Sequence, residues 1–280
     1  MVELLQHFKH LGWNPILEAN LKAQLIKAIQ LPDSIAEFNS HHDFSKGGID
    51  FVISVGGDGT FIESVNYVRD SLVPIVGINT GRLGFLANIS KDEMADALGK
   101  LQDKKFEHQE RSLLKVETES NHFGEANIAL NEVTVSRNNS SAMLTVHASL
   151  NDEYMNSYWA DGLIISTPTG STAYNLACGG PIIDPSCELH VVTPIAPHNL
   201  NVRPIVVPDD AFIKLSVEGR SRSYLLSLDG DSVQINQHEE VIIRKADYKL
   251  NVIKIEGHGF LNTIRNKMMW GIDRRNPNQE

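Results

Sequence analysis

Cysteine occurs only twice in the 280 residues, at positions 178 and 187. Two thiols nine positions apart match neither a zinc nor a dithiol spacing and cannot staple a fold, so reduced cysteines are expected. No apolar run approaches the roughly 18 residues that a membrane helix requires. Residues 1–13 combine Glu3, His7, Lys9 and His10 with no cleavage site, and the expectation is a cytoplasmic protein with no membrane partner. Basic residues are outnumbered, 25 Lys and Arg against 35 Asp and Glu, for a formal net charge of −10. That balance argues against a nucleic-acid partner. It leaves a polyphosphate ligand open, because backbone N–H groups, a helix N-terminus and a divalent cation can hold one locally. No G-x-S-x-G is present, so a serine hydrolase has no support. His41-His42-Asp43 lacks a further ligand at metal spacing and reads as a solvated loop.

The residues that are there fall into two halves of different periodicity. Over the first hundred, helical patterns at 2–11, 22–31, 60–68 and 91–101 alternate with strand-like runs at 15–17, 50–55 and 73–79. Such alternation predicts a doubly wound parallel sheet in an α/β domain spanning residues 1–110. From residue 111 the period becomes two, in runs at 114–118, 128–135, 143–150, 213–217, 224–228 and 240–255, with turn pairs such as Asn151-Asp152 and Asp229-Gly230. A mostly antiparallel β domain over 111–259 follows. Residues 260–280 recover a weak helical pattern and are expected to pack back on the first domain. With no linker between the halves, a ligand cleft is expected between them.

The most informative stretch is Ser54-Val-Gly-Gly-Asp-Gly-Thr60-Phe-Ile-Glu63. Glycines after a strand bring backbone N–H groups against a ligand with no Cβ in the way. Thr60 and Glu63 have capping-box spacing, which predicts a helix start there. Strand, glycine turn and helix N-terminus make an anion site, with Gly56, Gly57 and Thr60 as candidate phosphate-binding residues. It is neither a Walker loop nor the G-x-G-x-x-G dinucleotide fingerprint. The departure is Asp58, and two readings of it stand side by side. It binds a cation or takes a proton from an attacking hydroxyl, or it holds the turn, as Asp does in glycine-rich loops. A second glycine-bearing turn, residues 79–85, follows the next strand. A third segment, 161–177, runs from an acidic turn through an apolar strand into Ser, Thr, Tyr and Asn side chains suited to a ribose, an adenine edge or a carboxamide.

At these residues the chain resembles the NAD kinase family. Gly56-Gly-Asp-Gly-Thr60, Asn79-Thr-Gly-Arg-Leu-Gly-Phe85, Asn131-Glu132 and the 161–177 segment carry the match in order and spacing, with Asp229-Gly230 and Trp270 extending it. The first motif alone is shared with diacylglycerol and sphingosine kinases and phosphofructokinases. The resemblance implies transfer of the γ-phosphoryl of ATP, with a divalent cation such as Mg²⁺, to the 2′-hydroxyl of NAD. It implies Asp58 as proton acceptor, with Gly59 and Phe85 at the substrate. Asn131 and Glu132 are implied to hold the adenosine part, and Asp161 to face the nicotinamide carboxamide. Thr172, Ala173, Tyr174, Asn175, Leu176 and Ala177 are the implied closing loop. Trp159, Ala196 and Asp231 are further candidates for NAD contact. Trp159 stands where many relatives carry a basic or small residue, and Asp231 where Gln or His is common. A homodimer or homotetramer is implied. So is a strand ahead of the first helix, whereas this chain opens directly at Val2-Glu-Leu-Leu, leaving a sheet position open. A lipid kinase would require a deep apolar pocket instead of the polar 172–175 loop, and a non-catalytic NADP-binding sensor would have no use for Asp58.

Overall fold

The computed structural model of the chain describes residues 1–29, 31, 35–82, 84–138 and 143–270. Residue 83 of the second glycine turn, residue 30 of the expected second helix and the 271–280 end of the returning segment lie outside the described residues. The chain divides into two compact units, Met1–Gln109 with Asn251–Glu280, and Glu110–Leu250.

The first unit opens with α1 (Val2–Leu11), which buries Leu4 and Phe8 one turn apart and stops at Gly12 in the left-handed region. β1 (Ile16–Glu18) leads directly into α2 (Ala19–Ala28). That helix starts three residues earlier than its pattern suggested, because the Glu18 carboxylate accepts from the Asn20 and Leu21 N–H groups and caps it. β2 (Ala36–Phe38), α3 (His41–Phe44), β3 (Val52–Gly56), α4 (Asp58–Val68), β4 (Ile75–Asn79), β5 (Ile89–Ser90), α5 (Met94–Gln102) and β6 (Phe106–Arg111) follow. β4 is buried along its whole length, as a central parallel strand covered on both faces must be. α4 fixes its place by burying Phe61, Val65 and Val68 on one face, each contributing on the order of 1.5–3 kcal/mol.

The second unit is all antiparallel. One six-stranded sheet has the order β11-β10-β15-β18-β7-β8 and the other β14-β13-β12-β9-β16-β17. In chain order these are β7 (Leu114–Thr118), β8 (Ile128–Ala129), β9 (Glu132–Arg137), β10 (Leu144–Leu150), β11 (Glu153–Ala160), β12 (Gly162–Ser166), β13 (Leu189–Ile195), β14 (Ile205–Pro208), β15 (Ile213–Gly219), β16 (Ser223–Leu228), β17 (Asp231–Asn236) and β18 (Val241–Lys245). Leu114, Val146 and Leu215 from the first sheet meet Val133, Leu163 and Leu226 from the second in one core, the arrangement of a β-sandwich. Between β12 and β13 lies a short helix, α6 (Tyr174–Ala177).

The chain then returns to the first unit earlier than the expected boundary at 259. The period-two run 240–255 is two strands, not one: β18 stays in the sandwich, while β19 (Leu250–Ile255) pairs in parallel with β4. Alternation reports a half-buried strand but not which sheet receives it, so the pattern ran through the crossing. α7 (Phe260–Met268) follows. The finished sheet runs β3-β4-β19-β6, with β5 beside β4.

Among the described residues β3 is therefore an edge, and β1 pairs only with β2. A cavity of about 790 Å³ is lined by residues of both strands and by Leu4 and Phe8 of α1. It is also lined by Ser54, 3% exposed, whose hydroxyl has no partner. Among the described residues no strand lies on that side of β3, the position the family resemblance left open. The Val52 N–H donates to Pro74 and the Gly56 carbonyl accepts from Thr80. Residues 52, 54 and 56 thus bond β4, while Ile53 and Val55 turn their amides toward the cavity. Hydrogen exchange should find the Ile53 and Val55 amides at least about tenfold less protected than that of Ser54. Equal protection would mean that this edge is covered.

Candidate functional site

The glycine turn of the first unit is built around Asp58. α4 begins at Asp58 with Gly57 as its N-cap and no side-chain cap. The expected Thr60/Glu63 capping box is therefore not formed, because the helix starts two residues earlier and places Asp58, Gly59 and Thr60 in its first turn. Their N–H groups have no partner within the helix, and the positive end of the helix dipole lies there. The glycines answer to space: a Cβ on Gly56 would overlap the Thr60 side chain, whereas Gly57 and Gly59 look into open space. Nothing in the fold demands glycine at 57 and 59, and a close-approaching ligand would.

The Asp58 carboxylate is tied to the second turn. Its Oδ2 accepts from the Phe85 N–H at 2.9 Å, and its Oδ1 from Leu86 and Ala87, both at 3.0 Å. A Cβ on Gly84 would overlap that carboxylate. Asn79, buried, completes the brace: its amide donates to the Ala87 carbonyl at 3.2 Å and its carbonyl accepts from Gly81 at 2.7 Å. Both readings of Asp58 thus bear on one side chain. It holds the turn, and Oδ2, with a single donor, keeps capacity to accept another hydrogen bond.

The second unit repeats the device. Asp229 accepts from the N–H groups of Leu130 (2.6 Å), Asn131 (2.8 Å) and Glu132 (3.0 Å), and its own N–H donates to Glu132 at 3.1 Å. It reaches them from a two-residue Asp229-Gly230 hairpin between β16 and β17, both residues at positive φ, the geometry of a tight hairpin turn. Burial pushes the Asp229 carboxyl up while the three amides pull it down. Glu132 is pushed up to about 7, first by burial and then by the Asp229 charge, against one hydrogen bond from the Tyr174 N–H. One of its oxygens is buried without a partner. Asp161 pairs with Arg137 at 3.1 Å. The Tyr174 hydroxyl is pushed up by burial, by Cys178 and by the charges of Asp161 and Glu132, so these expected residues do share one neighbourhood.

In the hydroxyl-rich segment, several side chains hydrogen-bond within the protein. Thr167 donates to the Leu130 carbonyl at 2.6 Å, and Ser171 both donates to and accepts from Ile183. Thr172 donates to Thr169 at 3.3 Å. Asn175 is fully buried, its amide on Ser171 and Pro181 and its carbonyl accepting from Thr193. These side chains build the loop. A Cβ on Gly170 would overlap the Asn131 carbonyl, which locks the loop onto the Asn131-Glu132 pair. Tyr174 and Ala177 stay exposed, and Ala173 and Leu176 are half-buried. Trp159, 53% exposed, lies against the His198 ring at 5.5 Å. Ala196, at positive φ, and Asp231, at the head of β17, are both exposed. Arg137 and the clamping role of Asp229 escaped sequence reading, because each acts on a partner distant in sequence; Asn79, which braces its own turn two and eight residues on, was read only as part of a motif. Among the described residues, no three His, Cys, Asp or Glu converge as metal ligands, and three amides already engage Asp58.

A family model of the ATP-NAD kinase N-terminal domain matches residues 16–106, and one of the C-terminal domain matches 130–255. An NAD kinase of Christiangramia forsetii is 46% identical over 265 residues, covering 93% of this chain and 90% of that protein. One of Flavobacterium johnsoniae is 50% identical over 229 residues, 81% of this chain and 78% of that one. Among solved structures, yeast NADH kinase complexed with NADH superposes with a TM-score of 0.85 at 22% identity, over 98% of this chain and 84% of that chain. An NAD kinase from Archaeoglobus fulgidus in complex with ATP gives 0.71 at 26% identity, over 89% of this chain and 97% of that one.

The raised Glu132 carboxyl has a measurable consequence. Its charged form is disfavoured in the fold, so it withdraws stability as pH rises from the usual carboxyl range through about 7. His190, held neutral by burial down to about 4, gains stability as pH rises through the lower part of that window, so the wild-type curve mixes the two. The difference between Glu132→Gln and wild type isolates the first. Urea unfolding should show that variant gaining about 1–3 kcal/mol relative to wild type between pH 5 and 8. A pH-independent difference would contradict the assignment.

Proposed function

The chain belongs to the NAD kinase family, and we propose that it performs the family reaction through Asp58 as proton acceptor. The γ-phosphoryl of ATP passes to the 2′-hydroxyl of the adenosine ribose of NAD, giving NADP and ADP. The 2′-oxygen forms a bond to the γ-phosphorus, the bond from that phosphorus to the β,γ-bridging oxygen breaks, and the hydroxyl proton moves to Oδ2 of Asp58. The observation that carries this reading is the carboxylate standing between two glycines open to a ligand at the start of α4. A base inside an anion site serves phosphoryl transfer to a hydroxyl, where positioning and electrostatics provide the catalysis. ATP in the archaeal NAD kinase structure supports ATP as donor. Mg²⁺ arrives on the triphosphate as part of that substrate.

In the second unit, Asn131 and Glu132 hold the adenosine part of NAD, and Asp161, oriented by Arg137, takes the carboxamide. Tyr174, Ala173 and Ala177 contribute surface and backbone from the loop that Thr167, Ser171 and Asn175 keep rigid. The Trp159–His198 pair offers a ring face for the dinucleotide, with Ala196 and Asp231 as further contacts. We place the enzyme in the cytoplasm as a homodimer or homotetramer. Exposed Tyr154, Leu200, Ile205 and Val206 supply apolar surface that a second copy would cover.

Incubating the purified protein with NAD, ATP and Mg²⁺ should form NADP, read through an NADP-specific dehydrogenase. 2′-Deoxy-NAD should give no product and inhibit competitively. Its phosphorylation at an equal rate would overturn the choice of acceptor hydroxyl.

A further inference from the structure

α7 closes the first unit and is fastened to the loop that Asp58 holds. Just before it, the His258 imidazole lies 3.3 Å from the Asn88 carbonyl, and the Asn88 amide donates to the His258 carbonyl at 3.5 Å. The helix buries Thr263 and Ile264, which fixes its rotation. Its last turn carries two cations, Arg265 and Lys267. The Lys267 ammonium sits 4.3 Å above the ring of Phe85, the residue whose N–H donates to Oδ2 of Asp58. A positive charge is therefore held on the side chain of the residue whose backbone N–H binds the carboxylate. Its attraction to the ring face fixes its direction without neutralising it.

Charge explains why such a group is required. The turn offers partial charges, the orphan N–H groups at the start of α4, beside a formal negative charge on Asp58. A triphosphate brought to that carboxylate stays net negative even with its Mg²⁺, and meets repulsion that a formal positive charge offsets better than partial charges do. We infer that Lys267 is a further residue of the reaction, binding the β- and γ-phosphates of the donor nucleotide and stabilising the charge that moves to the β,γ-bridging oxygen as the bond breaks. This rests on the reading of Asp58 as the base facing the acceptor hydroxyl, since that role sets the reacting phosphoryl beside it. A lysine on a flexible stem suits this role, because it serves phosphate as a point charge and can follow the γ-phosphoryl during transfer.

The test compares Lys267→Met, Lys267→Arg and Arg265→Ala with wild type. Methionine keeps the length and the apolar contact with Phe85 while removing the charge. Lys267→Met should raise the Kd for ATP, measured by calorimetry, about tenfold and lower kcat about 10- to 100-fold. Its Kd for NAD should stay within about twofold and its Tm within about 2 °C. Lys267→Arg should recover most of the lost kcat, and Arg265→Ala should behave as wild type. A Lys267→Met enzyme with wild-type ATP affinity and kcat would overturn the inference. So would equal losses for ATP and NAD accompanied by a lowered Tm, which would make Lys267 a brace for the loop. Failure of wild type itself to form NADP would instead refute the functional reading, and the two failures are distinct.

Discussion

In each unit an aspartate carboxylate takes three consecutive backbone amides, and the candidate residues around it depend on that clamp. Asp58 holds residues 85–87, and Asp229 holds residues 130–132. Three adjacent N–H groups converge on one point only if the chain bends tightly around it, so each carboxylate dictates the shape of a loop that has no ladder of its own. Hydrogen bonds to a charged acceptor are worth about 1.5–3 kcal/mol each, and a buried amide left without a partner costs a comparable amount. Burial of the carboxylate opposes this, most clearly at Asp229, where desolvation acts against the three amides. A clamp of this kind is therefore stiff: losing the charge on the aspartate frees three amides at once.

The two clamps are used differently. At Asp229 the carboxylate is enclosed, and its field is felt by Glu132, which it helps to push up to about 7. Its function is to place and tune a neighbour. Asp58 sits in the first turn of a helix between open glycines, so the group that shapes the loop also faces the space a ligand would enter. Economy of this sort constrains the neighbours: Gly84 cannot carry a Cβ because the carboxylate stands there, and Asn79 is buried to finish the same loop. In the second unit, Gly170 and Asn175 bear the equivalent burden. Asn175 looks like a ligand contact in sequence, and its side-chain amide and carbonyl are bonded within the protein.

Local patterns were legible in the sequence and long-range ones were not. The change of period near residue 111 located the α/β and β halves, because a parallel sheet covered by helices and a sandwich bury their strands differently. The glycine turn and the Asp229-Gly230 hairpin were visible because their geometry depends on adjacent residues. The assignment of β19 to the first unit was hidden, since alternation does not name a strand's partner. So was the structural use of Thr167, Ser171 and Asn175, whose bonds reach Leu130, Ile183, Pro181 and Thr193. The capping box at Thr60 and Glu63 failed for a local reason: Asp58 and Gly59 already form the first helical turn, and the carboxylate that might have capped it points to another loop.

The dual role of Asp58 is tested most directly by Asp58→Asn. Asparagine keeps the shape but turns an NH₂ toward amides that also donate, so at least one of the three hydrogen bonds is lost and no base remains. Stability should fall by about 1–3 kcal/mol in urea unfolding. At a temperature where the variant is folded, kcat should fall by about three orders of magnitude, roughly 4 kcal/mol of transition-state stabilisation, with NAD affinity changed less than about tenfold. A folded variant that keeps more than about a tenth of wild-type kcat would contradict the base, and one of undiminished stability would contradict the clamp.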